Sequence, residues 1–572
     1  MNLEQVKSFL NIIFSFDNTY PLLFTQFYFW AFFAIIFAGF SLLGNRVLSR
    51  NIFLFAASLF FYYKTSGLFV ILLVFTVILG FFAGKQIHLR ASKSARKGLL
   101  FVGVFINLGV LCYFKYAYFF TDACNALFHT KYHVINYLAR WANEWGQTSR
   151  FDASKILLPV GISFFTFQNI SYLVDIYRKK VEPVRNIFNF GFYLSFFPQL
   201  VAGPIVRANQ FIPQLYKKFF LSRKQFGIAL FWILNGLIKK LILSDYLAVN
   251  FVDRVFNNPD LFTGFENLSA LFFYSLQVYA DFSGYTDIAI GVAMLMGFYL
   301  PTNFNSPYKA TNCGDFWKRW HISLSSWLKD YLYIPLGGSR KGKIRAKINL
   351  MLTMLLGGLW HGASWNFMIW GGLNGIGILI YKTWKDMKKN IRALLAFVFF
   401  LNFLLLQILF PHPAWLIGTI WSGVICLGTC IDYLYSACIR QRPLYGLNRG
   451  WSILLTFVFI TFTRLFFRSG SNLDPAEANQ VAWDTATRVV TRIGGKWQWE
   501  VIPQIIYQYR FIFLLFTAGM LIHWLPDKWK RWYRLRFATL PVWALAITMV
   551  AAVFALYQFV VADLQPFIYF QF

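Results

Sequence analysis

Runs of apolar residues long enough to cross a bilayer recur along the whole chain, and nothing constrains its folding more. About 20 residues of α-helix cover the ~30 Å hydrocarbon core. Stretches 21–44, 99–120, 156–177, 226–243, 393–410 and 539–562 meet or approach that length. Segments 52–84, 261–301, 349–381 and 414–436 are expected to divide into shorter or paired pieces, and 451–467 and 510–526 are short candidates. The runs show no alternation of apolar and polar residues, which excludes membrane-spanning strands. The expected fold class is an all-α polytopic membrane protein with roughly ten to twelve crossings or re-entrant helices.

Composition agrees. Only 13% of residues are charged, against about 25% in an average soluble domain. The 54 Lys+Arg and 23 Asp+Glu give a net charge of +31, which in a soluble chain would suggest nucleic acid. Here the basic residues punctuate apolar runs instead of forming one stripe, so no nucleic-acid partner is expected. The beginning Met1-Asn2-Leu3-Glu4-Gln5 lacks a basic region, and no small-residue cleavage pattern follows, so the first helix is expected to be retained. The six cysteines include no CxxC pair. Cys426 and Cys430 share a helix face as small apolar fillers, and no metal site is expected. The chain has no glycine-rich phosphate loop, no GxSxG elbow and no HExxH.

Lys and Arg in short loops resist translocation and set orientation. Four clusters are placed in the cytoplasm: Lys85 to Lys97, Arg178 to Arg185, Arg207 to Lys224, and Lys309 to Lys347. Segment 121–155 is then external. Segment 187–206 has basic flanks on both sides and is interrupted by Pro198 and Gly203-Pro204. It reads as a re-entrant loop, which survives at membrane depth only when buried in protein or lining a cavity, and a cavity is expected. Segment 349–381 lies between Lys347 and the basic run Lys382–Arg392. It fits a helical hairpin turning inside the membrane at Gly362-Ala363-Ser364-Trp365-Asn366. At 1.5 Å per residue from Leu350, His361 sits ~16 Å deep, near the midplane.

An ionisable group at that depth is a functional candidate. The alternative is a histidine that only hydrogen-bonds two helices together. Its surroundings, Trp360, Ser364, Trp365 and Asn366 among small residues, suit a shaped pocket. A second histidine, His321, follows Trp320 in Phe316-Trp317-Lys318-Arg319-Trp320-His321-Ile322-Ser323. The aromatic spacing there suits a helix at the cytoplasmic interface. The nearby cations, Arg340 and Lys341 among them, offer sites for an anionic donor such as coenzyme A or an acidic carrier protein. The remaining histidines read as structural. Asp281 and Asp287, in an apolar segment, require a Lys or Arg partner or water, and Tyr285 between them is placed on a cavity wall. Arg464 and Arg468 share a helix face, where snorkelling or a carboxylate partner accounts for them.

The stretch from His321 to Asn374 resembles the membrane-bound O-acyltransferase family in its bacterial alginate O-acetylation branch. The matching residues are Arg319-Trp320-His321-Ile322-Ser323-Leu324-Ser325, Asp330-Tyr331-Leu332-Tyr333-Ile334-Pro335-Leu336-Gly337-Gly338 and Gly357-Gly358-Leu359-Trp360-His361-Gly362-Ala363. Leu158–Phe164, Pro198–Ile205 and Asp281–Asp287 add to the ordered set, which covers about residues 20–470. After Arg468 the likeness is loose, mainly Phe466-Phe467-Arg468 and the end Phe567-Ile568-Tyr569-Phe570. The resemblance implies a ring of transmembrane and re-entrant helices around a central funnel, with His361 at the narrow point and His321 at a second, more variable polar position. It divides the chain into a membrane core, 1–470, and a C-terminal extension, 471–572, with an amphipathic segment and two further membrane helices.

It also implies an O-acyltransferase without a bound cofactor. The acyl group, acetyl in this branch, comes from a cytoplasmic thioester of coenzyme A or acyl carrier protein. It crosses the bacterial inner membrane for O-acetylation of a secreted or cell-surface polysaccharide, completed by an extracytoplasmic acetyltransferase partner. The residues agree: a neutral imidazole can take a hydroxyl proton as a thioester is attacked, and burial keeps it neutral. The catalytic candidates are therefore His361 and His321. The substrate-binding candidates are Trp320, Ser323, Tyr285, Trp360, Ser364, Asn366, Arg340 and Lys341. Ser323, Ser325, Ser364 and Cys313 are either nucleophiles for a covalent acyl-enzyme or ordinary helix and loop residues. Two alternatives are a protein or lipid O-acyltransferase of the same family and, in a different class, a transporter of polysaccharide or lipid-linked sugar.

Overall fold

The computed structural model describes Phe16 and residues 22–149, 151–201, 203–438, 445–468 and 475–559. The amino-terminal segment, Arg150, Ala202 and the end Phe567–Phe570 lie outside the described residues. Among the described residues every regular element is helical. Among the described residues six helical stretches, Val47–Leu89 counted as one, are long and apolar enough to cross a membrane, or up to eight if two sharply bent pairs each count as one span. The others that were expected to cross are shorter or more polar.

The divisions expected within long apolar runs follow local chemistry. Segment 52–84 lies in two helices, Val47–Ser66 and Val70–Leu89, joined by a 3₁₀ turn at Gly67–Phe69. Segment 349–381 is a hairpin of Lys343–His361 and Trp365–Trp384. Two expected divisions do not occur. Segment 261–301 holds one helix of 32 residues, Gly264–Leu295, and segment 414–436 lies in one of 26, Pro413–Cys438. The first segment is longer than one crossing needs, yet its two carboxylates are buried and partnered within the protein, so the helix runs on unbroken.

The chain forms two compact units. One contains the described residues of Met1–Ile238, Gly284–Thr302 and Arg531–Ala555, and the other those of Lys239–Ser283, Asn303–Lys530 and Leu556–Phe572. In the first unit, segment 187–206 is irregular as expected. Helix Ile187–Ser195 stops at Phe196 (φ −49°, ψ 111°), and a four-residue helix, Phe197–Leu200, follows. Phe190, Phe192, Phe196 and Phe197 are fully buried, and the Gln199 amide donates to the Tyr193 carbonyl at 2.8 Å. Packing within the protein thus supports this broken backbone. Nearby, buried Arg50 donates to the carbonyls of Leu215 (2.9 Å) and Lys217 (3.0 Å), and Asn51 donates to Asn189 Oδ1 at 3.0 Å.

The second unit holds the hairpin. Its arms touch through glycine: a Cβ on Gly358 would overlap the Phe367 carbonyl oxygen, and one on Gly371 would overlap that of Met354. Backbone contact this close needs residues without side chains. Arms held so tightly set the height and rotation of His361, the last residue of the first arm.

Candidate active site

His361 ends a helix and His321 begins one. The Cys313–Arg319 helix stops at Trp320, and His321, at φ 42° and ψ 56°, occupies the left-handed region before Ile322–Leu328. Asn303 braces this corner: its carbonyl accepts from Ile322 N at 3.0 Å and its Oδ1 from Ser323 N at 3.2 Å. Non-glycine residues hold positive φ only where surroundings enforce it. The reversal turns the His321 ring inward, where it is fully buried.

The two imidazole centroids lie 6.2 Å apart. Around them stands an aromatic wall. Phe282 meets His321 edge to face at 4.6 Å, and Trp360 lies 5.8 Å from His321 and 5.0 Å from His361. Trp370 and Phe467 approach His361 at 5.1 and 5.6 Å. Two bases in an apolar enclosure can move a proton between a hydroxyl and a leaving thiolate while bulk water is kept away. A cavity of about 420 Å³ in the same unit, beside Val249, Arg254, Asn258 and Leu261, has neither imidazole nor thiol in its lining and does not match this chemistry.

The remaining candidates separate into four groups. Trp320, Ser323 and Trp360 belong to this enclosure or its immediate support. Trp320 is buried, stacks on Phe316 at 5.5 Å and carries the Arg464 guanidinium 4.5 Å from its ring centre. Ser364 and Asn366 form the hairpin turn: the Ser364 hydroxyl donates to Asn366 Oδ1, and Asn366 Nδ2 donates to the Phe466 carbonyl at 2.8 Å. Asn366 N donates to Asn479 Oδ1 at 3.2 Å, so the amphipathic helix Pro475–Ile493 braces the turn.

Arg340 and Lys341 are exposed in the turn before the first hairpin helix. The 19 residues of that helix place them about 27 Å along its axis from His361. Tyr285 belongs to the other unit, buried and stacked on Phe24 at 4.4 Å.

Several residues of the site escaped sequence reasoning. Phe282, Trp370 and Phe467 look like ordinary apolar positions until the chain folds. Lys240 was the other omission. Its ammonium lies 2.7 Å from Asp281 and 2.8 Å from Asp245, with all three side chains almost wholly buried. A lysine within the apolar run 226–243 was the available signal, since an intramembrane cation implies a carboxylate. Asp287 Oδ2 accepts from Asn235 Nδ2 at 2.6 Å. Arg468 pairs with Asp253 at 2.7 Å, while Arg464 meets aromatic rings. Cys426 and Cys430 lie 3.9 Å apart, unbridged.

Comparison with known proteins gives the arrangement its context. The model of the MBOAT, membrane-bound O-acyltransferase family, matches residues 9–410. The peptidoglycan O-acetyltransferase of Helicobacter pylori is 34% identical over 426 residues, covering 68% of this chain and 77% of that protein. The probable alginate O-acetylase AlgI of Azotobacter vinelandii is 40% identical over 348 residues, covering 60% and 64%. The teichoic acid D-alanyltransferase of Bacillus subtilis is 27% identical over 249 residues, covering 41% and 62%. With two buried imidazoles in an aromatic enclosure and membrane-length apolar helices, the chain is a multi-pass membrane O-acyltransferase and belongs to the membrane-bound O-acyltransferase family.

Proposed function

We propose that the protein takes an acetyl group from a cytoplasmic thioester and delivers it across the bacterial inner membrane for O-acetylation of a secreted or cell-surface polysaccharide. The observation that carries this reading is the pair of buried imidazoles 6.2 Å apart. The relatives that acetylate peptidoglycan or alginate by name support the acetyl group and a glycan destination.

In this mechanism His361 accepts the proton of the acceptor hydroxyl as its oxygen attacks the thioester carbonyl. The C–S bond then breaks, and the proton passes to the departing thiolate, leaving an ester and a free thiol. His321 holds the acceptor or shares the proton. The aromatic wall excludes water, which would otherwise hydrolyse the thioester. An extracytoplasmic acetyltransferase then places the group on the polysaccharide. The donor is acetyl-CoA or an acetylated carrier protein, approaching the basic side that includes Arg340 and Lys341.

The test is radiolabelled acetyl-CoA enclosed in vesicles that carry the protein, with glycan and candidate partner transferases outside. Label should appear on external glycan only when both proteins are present. Label that stays inside with active protein and partner would exclude transfer across the membrane.

A further inference from the structure

We propose that Arg464 binds an acidic group, a carboxylate or a phosphate, carried by the acyl acceptor, which enters through the cavity beside Asp253, Arg254, Asn257 and Asn258. This rests on the reading that a hydroxyl is acylated beside the two imidazoles. Arg464 is only 4% exposed, and its guanidinium lies 4.5 Å from the ring centre of Trp320 and 5.7 Å from that of Tyr308. Among the described residues no carboxylate pairs with it, and its Nη1 is buried without a hydrogen-bond acceptor. Arg464 differs in this from Arg50, which donates to Asn51 and two backbone carbonyls, from Lys240 with two carboxylates, and from Arg468 with one. Aromatic faces offset only part of the cost of taking a guanidinium out of water. An anion brought by a substrate supplies the rest.

A second donor there also lacks a partner. The Tyr274 hydroxyl is buried and unbonded, within electrostatic range of both Arg464 and Arg468, and the Arg468 guanidinium is 5.5 Å from the Tyr274 ring. An oxyanion accepts hydrogen bonds from both kinds of group.

The approach is through the cavity of about 420 Å³. Asp253 in its lining holds Arg468 at 2.7 Å, and Arg468 follows Arg464 by one helical turn. Arg254 is exposed in the same lining, with Nε on the Val249 carbonyl at 3.0 Å and no carboxylate partner among the described residues. The side-chain amides of Asn257 and Asn258 are exposed there and bond no described residue. Arginine thus recurs from the exposed Arg254 through the half-buried Arg468 to the enclosed Arg464, against the single carboxylate of Asp253.

The cavity lies away from the basic loops. Helix Lys389–Leu409 is long and apolar enough to cross the membrane from the basic run Lys382–Arg392. At its far end Pro413 lies against Gly494, and Arg492 pairs with Asp260, the neighbour of the lining residue Leu261. An acceptor coming from the external side therefore meets Arg254 first. At the inner end, Arg464 covers Trp320, the residue before His321, and shares a helical turn with Phe467, whose ring is 5.6 Å from His361. An acceptor held by its acid group at Arg464 is kept next to the residues that wall the imidazoles.

The full-length protein in phosphatidylcholine nanodiscs would be assayed with acetyl-CoA and three acceptors on one carbon frame: glycerol, glycerate and glycerol 3-phosphate. For one or both acids kcat/KM should exceed that for glycerol by at least about tenfold, and the acid preferred tells carboxylate from phosphate. In Arg464→Met the preference should disappear, and Arg464→Lys should keep most of it. No preference in the wild type, or one that survives in Arg464→Met, would reduce Arg464 to a support for Trp320 and overturn the proposal. Asn257→Ala/Asn258→Ala should raise the KM for the preferred acid and leave that for acetyl-CoA unmoved. An unmoved acceptor KM would overturn entry through the cavity.

Should Arg464→Met not fold, Arg464→Gln takes its place, and inorganic phosphate and acetate are tested as inhibitors of the wild type. Competition with the acid acceptor supports the site. Competition with acetyl-CoA alone, which puts the anion on the donor, or no competition overturns it. If the wild type acetylates none of the three acceptors, the hydroxyl-acceptor reading fails by itself. Calorimetry with phosphate and acetate then decides the site: binding to the wild type and Arg464→Lys but not to the uncharged variant supports it, and equal binding to all or binding to none refutes it.

Discussion

The imidazoles of His321 and His361 lie 6.2 Å apart although one begins a short helix and the other ends a long one. Two different devices bring them together. A left-handed residue braced by Asn303 aims the first, and backbone contact between hairpin arms places the second. Both imidazoles are thereby held in position before any substrate arrives, the arrangement that proton transfer favours.

His361→Ala should lower acyl transfer by about 10²–10⁴-fold, the usual contribution of a general acid–base group. The protein should still insert and migrate as a single species in size-exclusion chromatography. Near-normal turnover by this variant would remove His361 from the mechanism.

If the two imidazoles act as one unit, His321→Asn and His361→Ala should each cost nearly as much activity as the double variant. Asn is the replacement of choice at 321 because it tolerates positive φ. Losses that add in free energy would separate the roles and leave His361 as the base.

Gly371→Ala places a methyl group against the Met354 carbonyl. Overpacking of this kind costs about 1–3 kcal/mol, and the arms must part to relieve it. A lower thermal midpoint in detergent, with reduced kcat, is the expected result. An unaffected midpoint would mean that the arms are not held at this point.

Lys240→Met removes the cation between Asp245 and Asp281. Breaking a buried pair costs about 3–5 kcal/mol, whereas neutralising every partner recovers much of it. The triple variant with Asp245→Asn and Asp281→Asn should therefore be more thermostable than Lys240→Met alone. The opposite order would show that the carboxylates do not depend on this ammonium.

Arg340, Lys341 and Lys343 stand at the far end of the hairpin helix from His361, and the proposed function gives them a part in donor approach. Replacing all three with Gln should raise the donor KM more than it lowers kcat, with an effect that shrinks at high salt. A cysteine at Gly342 should label from the cytoplasmic face. Labelling only from outside intact cells would reverse the orientation.

The hairpin was legible because basic residues flank it, its length fits neither one crossing nor two, and small residues sit where it turns. His361 could be singled out because a titratable group at such depth is costly. The wall of Phe282, Trp370 and Phe467 was not legible, since nothing distinguishes a pocket-lining aromatic from any other in a chain with 68 phenylalanines. The Gly264–Leu295 helix was misjudged because the apolar segment that holds it is longer than one crossing requires, so a division was expected. The partners of its carboxylates, Lys240 for Asp281 and Asn235 for Asp287, lie in another stretch of the sequence and show only in three dimensions.

The left-handed backbone at His321 also limits how the position can drift. Asparagine and aspartate share the tolerance for positive φ that histidine has, and each is one base change from a histidine codon. A β-branched residue would strain the corner that Asn303 braces, whatever its effect on the reaction. Lineages that come to rely on His361 alone should therefore carry Asn or Asp at 321 more often than an aliphatic residue, so that the site remains polar by geometry even after selection for the imidazole has relaxed.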